Sequence, residues 1–106
     1  PPPVGRDHPS IAADRLREAV AHPKLRALRD RYVTPGDAEA LLSGGELAIR
    51  RHVQVRRKRA DHHAVYDLSL LESLLLVEYG LRRGQQALLD EEGAKLLRYA
   101  MPERAG

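Results

Sequence analysis

The chain has 106 residues, enough for one domain around one core and too few for a second. Its hydrophobic content of 42% is ordinary, its charged content of 31% is somewhat high, and its formal charge of +3 is mild. No cysteine is present, which excludes disulfides and thiolate metal sites. The aromatic residues are four tyrosines without Phe or Trp, which calls for an aliphatic core and argues against single-strand binding by base stacking.

Residues 1–9 (PPPVGRDHP) read as a flexible proline-rich arm, followed by a single compact domain over 10–101 and a tail over 102–106. Ser10 is a good N-cap, and Ile11, Ala12, Leu16, Ala19 and Val20 recur at helical spacing, so a first helix is expected over about 11–21. His22-Pro23 breaks it, because a residue before proline is pushed out of helical geometry. Pro23 then opens a second helix running to Tyr32 or Val33, the alternative being one kinked helix through both. Thr34-Pro35-Gly36-Asp37 is a further start signal, and the short helix it opens ends at Gly44-Gly45.

From Glu46 the period changes. Leu47, Ile49, Val53 and Val55 share one parity, with Glu46, Arg50, His52, Gln54 and Arg56 on the other and Arg51 as the exception. That alternation predicts a strand over about 47–57. Ala64, Tyr66 and Leu68 alternate likewise. A turn at Arg59-Ala60 would pair the two runs as a basic β-hairpin, although the strong Asn-Gly or Asp-Gly turn signal is missing. The competing reading is one long basic helix through 46–60.

Ser69-Leu70-Leu71-Glu72 forms a capping box opening a leucine-rich helix over 69–83, with Gly84 as its stop. Leu70, Leu71, Leu74, Leu75, Val77 and Leu81 make a wide apolar face and Leu76 points away from it, which suggests neighbours on more than one side. The run from Leu68 to Leu81 contains Glu72 and Glu78 and falls short of the ~20 apolar residues of a spanning helix, so no membrane association is expected. Asp90 would cap a final helix that ends before Pro102. The expected fold is α+β: three N-terminal helices, a basic hairpin, a leucine-rich central helix and a C-terminal helix. An all-α bundle is the alternative.

Charge is unevenly placed. Residues 1–45 carry a net +1, residues 46–63 a net +4 with three histidines, and residues 64–106 a net −2. Concentrated charge attracts anions better than the same charge dispersed. Arg50, Arg51, Arg56, Arg57, Lys58 and Arg59, with His62 and His63, are therefore the candidate nucleic-acid contacts: arginine offers bidentate bonds to phosphate or guanine, and a two-stranded ribbon can enter a groove. The structural alternative is a solvated basic edge that guards against aggregation.

Glu78 falls inside the leucine face, with Arg82 four residues on in the favourable order. It serves either as an intrahelical partner or as a carboxylate kept for Arg51 or a second subunit. Leu76, Glu78, Tyr79 and Arg83 thus form a second candidate surface, for a homodimer or a protein partner. His52, His62, His63 and Asp67 lack the spacing of a metal motif, and neither a phosphate loop nor a nucleophile elbow occurs, so no cofactor and no catalytic residue is assigned. Fifteen of the eighteen basic residues are arginine, which points to a GC-rich, bacterial source. With no signal-peptide pattern, a cytoplasmic location is expected. The function expected is a non-enzymatic nucleic-acid-binding or regulatory protein, the alternative being a protein-interaction or self-association module.

Overall fold

The computed structural model describes residues 10–100; the proline-rich arm and the tail expected at 102–106 lie outside them. Six helices fill this span: α1 (Ala13–Val20), α2 (Pro23–Tyr32), α3 (Pro35–Gly44), α4 (Glu46–Arg59), α5 (His62–Arg83) and α6 (Gln86–Ala100). No strand occurs among the described residues, so the α+β expectation is overturned and the all-α bundle is the architecture.

The first three helices follow their local signals. The His22-Pro23 break separates α1 from α2, and the His22 ring accepts the Lys24 backbone N–H through Nδ1 at 3.1 Å. Thr34 caps α3 by accepting the Asp37 N–H at 3.1 Å, with Pro35 in the first turn. Helix α1 starts later than Ser10 suggested, with Ala12 at the N-cap and no side-chain cap bond.

The hairpin expectation fails because the apolar alternation over 47–55 is outweighed by helical terms. Ile49 and Val53, four residues apart, are fully buried and supply the inward stripe, while Leu47 and Val55 are left 62% and 58% exposed. Arg50 pairs with Glu46 and Arg56 bonds to His52, both at i,i+4. Four cations occupy the last turn, where the helix dipole favours them, and arginine and lysine are good helix formers. At the start, Gly45 takes φ +104°, a backbone state that L side chains rarely adopt.

The chain nevertheless reverses where the turn was expected. Ala60 and Asp61 are extended, and the Asp61 carboxylate caps α5 by accepting the N–H groups of His63 and Ala64 at 3.0 and 3.1 Å. The result is a hairpin of helices, with Gly45 beside the Tyr79 ring at one end and Arg57 bonded to Ser69 at the other. Helix α5 thus begins seven residues before the Ser69 capping box. Asp90 is likewise no cap: α6 starts at Gln86, and the Asp90 carboxylate instead accepts the Ile11 N–H at 2.9 Å, tying the entry of the chain to α6.

Helix α5 is the axle of the bundle and touches all five other helices. Leu68, Leu70, Leu71, Leu74, Leu75, Leu76 and Val77 are all buried, on every side of it. Leu76, on its side opposite the main leucine face, is fully buried with the rest. Two glycines let neighbours approach closely. A Cβ on Gly80 would come within 2.8 Å of Leu89 on α6, and one on Gly93 within 2.8 Å of Leu16 on α1.

Candidate functional site

The cations over 50–59 do not act as one cluster. Because α4 is a helix, its side chains are sorted around a cylinder by 100° steps. Arg50 and Arg57 turn toward α5 and α6 and are used internally. Arg50 reaches Glu46 at 3.0 Å, Glu72 at 3.5 Å and Glu92 at 3.7 Å, and Arg57 bonds Glu72 at 3.0 Å and Ser69 at 3.3 Å. Glu92 is only 4% exposed, and it also accepts the Ser73 hydroxyl at 2.8 Å and pairs with Lys95 at 3.3 Å. The network is an ionic clasp fastening α4 to α5 and α6. A buried carboxylate survives there because every neighbour donates to it.

Arg51, Arg56 and Arg59 turn the other way, onto a groove of about 820 Å³ bordered by α3, α4 and the start of α5. Tyr32, Leu41, Val55, Ala64 and Leu68 give it an apolar floor, with Asp61 at one end. Arg51 and Arg59 are exposed and have no ion pair among the described residues, as is also true of Lys58, further round the helix. Arg56 donates its Nε–H to His52 Nε2 at 2.9 Å, so that nitrogen is an acceptor and the ring is neutral. The His52 pKa lies below its ordinary value, first because burial disfavours the imidazolium and second because Arg56 adds like charge; Asp37 acts in the opposite sense. Behind the floor, the Tyr32 hydroxyl donates to Asp67 at 3.2 Å, and burial together with that carboxylate raises the tyrosine pKa.

His62 and His63 sit exposed in the first turn of α5 with ring centroids 4.1 Å apart, where strand pairing would have set them on opposite faces. His52 does not meet Asp67, which instead takes Arg31 and Tyr32. No group of three His, Asp or Glu among the described residues is placed to hold a metal ion.

The second candidate surface is largely internal. Leu76 has no exposure, and Glu78 is held by Arg29 of α2, whose Nη1 lies 2.6 and 2.9 Å from the two carboxylate oxygens, each side chain being 13% exposed. Arg82, four residues on, pairs with Glu39 of α3 instead. Tyr79 and Arg83 stack, the guanidinium lying 5.5 Å from the ring centroid. Sequence reasoning passed over the groove floor and the Glu92–Ser73 clasp. A helical wheel over 46–60 carries the signal for the groove, since residues 48, 52, 55 and 59 fall on one side. Nothing local marks Glu92 apart from Glu91.

No family model matches this chain, and no curated protein or solved structure matches it either. Among the described residues no helix is long and apolar enough to cross a membrane.

Proposed function

We propose that the protein is a non-enzymatic binding or regulatory module that docks an anionic partner on the outer face of α4 and the groove beside it. The observation that carries the reading is the division of the basic residues. Two arginines are consumed by the internal clasp, while Arg51, Lys58 and Arg59 stand exposed without a carboxylate partner among the described residues. Arg56 and the uncharged His52 complete the rim of the groove. Unpaired guanidinium groups beside an apolar floor combine charge attraction with surface to bury, the usual pairing in recognition sites. The groove has three cations along its α4 side and a single carboxylate in its lining, Asp61, an arrangement suited to holding an anion.

Nucleic acid is one class of anionic partner to test. Each phosphate neutralised contributes about −0.9 to the slope of log affinity against log salt, so three cations give a slope of about −3 at most. The test is titration of a labelled DNA duplex and of polyglutamate at increasing salt, with Arg51, Lys58 and Arg59 changed together to alanine. Arg57 is left in place, because removing it would open the clasp. The reading predicts salt-sensitive binding to at least one polyanion and a loss of about tenfold or more in the triple variant. A wild-type chain that binds neither at low salt contradicts it.

A further inference from the structure

Along the outer face of α4, Leu47, Arg51, Val55 and Arg59 recur every four residues, so they form one row that runs the length of the helix. The row alternates apolar and cationic. Among the described residues, Leu47 and Val55 are two of the four large hydrophobic residues that stand exposed, and the two arginines between and beyond them have no ion pair. The groove runs alongside this row. Its α4 lining extends from Ala48 to Arg59, roughly 16 Å at 1.5 Å per residue, or about three helical turns.

We infer that this row and groove receive an amphipathic helix of a partner protein, one whose own four-residue row alternates carboxylate and apolar side chains. The inference rests on the anion-docking reading and names the partner for it. Three features favour this occupant. An acidic helix meets Arg51 and Arg59 with carboxylates while its apolar residues cover Leu47, Val55 and the floor formed by Leu41, Ala64 and Leu68; rows at four-residue spacing are those that interdigitate when two helices pack. A nucleic-acid backbone would satisfy the arginines and leave the apolar surface in water. A second copy of this chain would set the same row against itself, either arginine against arginine or arginine against leucine and valine, and neither arrangement is complementary.

The experiment uses the full chain and three labelled probes. They are a synthetic capped helix carrying one row of alternating Glu and Leu at four-residue spacing, a scrambled isomer of the same composition, and a DNA duplex. Fluorescence anisotropy is expected to show the patterned helix binding about tenfold or more tightly than the isomer, with Arg51→Glu and Val55→Glu each removing about tenfold of that affinity. Both residues are exposed, so circular dichroism should stay helical in both variants. Equal binding of patterned and scrambled peptides, or indifference to Val55→Glu, would overturn the inference while leaving anion docking intact. So would binding of the duplex alone, in favour of nucleic acid. Binding of none of the three overturns both readings.

Discussion

Single side chains decide how the charge of this molecule is used. Glu92 is the clearest case: it is nearly fully buried, takes the Ser73 hydroxyl, and balances Arg50 and Lys95. Removing its carboxylate leaves the buried Ser73 hydroxyl without its acceptor, which typically costs about 1–3 kcal/mol, while Arg50 and Lys95 are exposed enough for water to replace the lost pairing. We expect Glu92→Ala to lower unfolding free energy by about 2 kcal/mol in urea titration, with Glu92→Gln costing less because its amide oxygen still accepts from Ser73. A cost within about 0.5 kcal/mol for the alanine variant would show that the clasp is not stabilising. His52 gives a pH-dependent counterpart. Its folded pKa is held below the ordinary 6.5, so the folded state resists protonation. Above about pH 6.5 the ring is neutral in both states and its contribution is fully present. As pH falls from 6.5 toward the folded value, the unfolded chain takes up the proton first and stability declines. The urea midpoint should drop across that window, and His52→Gln, which keeps an acceptor for Arg56, should flatten part of the drop. An unchanged pH profile in that variant would remove His52 from the account.

The elements show what the sequence made legible and what it did not. Proline breaks and caps before residue 45 are local, and the boundaries they set for α2 and α3 agree with the structure. The end of α5 at Gly84 is local too, the glycine taking a left-handed conformation with φ +67°. Helix α4 was misread because four apolar residues on one parity imitate a strand. What decides against a strand is non-local: only Ile49 and Val53 find a core, and Arg50 between them finds partners on α5 and α6. Leu47 and Val55, read as sharing one strand face with Ile49 and Val53, are the residues that the helix leaves outside. Seeing the position of the reversal did not require knowing the type of hairpin, and in the helical one Asp61 caps α5. Asp61→Ala should therefore lower stability by about 1 kcal/mol and fray the first turn of α5, visible as faster amide exchange at His63 and Ala64. Exchange unchanged at those two amides would show that the cap is not holding the turn.

At the scale of the whole molecule, the bundle sets its charges by direction. Carboxylates of α5 and α6 draw Arg50 and Arg57 inward, Arg29 neutralises Glu78 where Arg82, Arg51 or a second subunit had been the candidates, and Leu76 belongs to the core. Helix α5, which looked like an interaction surface, is the axle. The surface we propose for recognition is the far side of α4, where cations and exposed aliphatic residues alternate beside an apolar groove. The composition flagged this region as basic, but only the helical geometry separates the arginines that hold the fold from those that face outward. The measurement that bears most directly on this division is the affinity of the patterned Glu/Leu helix for the wild-type chain and for the Arg51→Glu, Arg59→Glu double variant, read by anisotropy at rising salt. We predict wild-type binding that weakens with salt and a double variant weaker by about tenfold or more at low salt, with the same helical circular dichroism. Equal affinity of the two proteins across the salt series would contradict the assignment of α4's outer face as the docking surface.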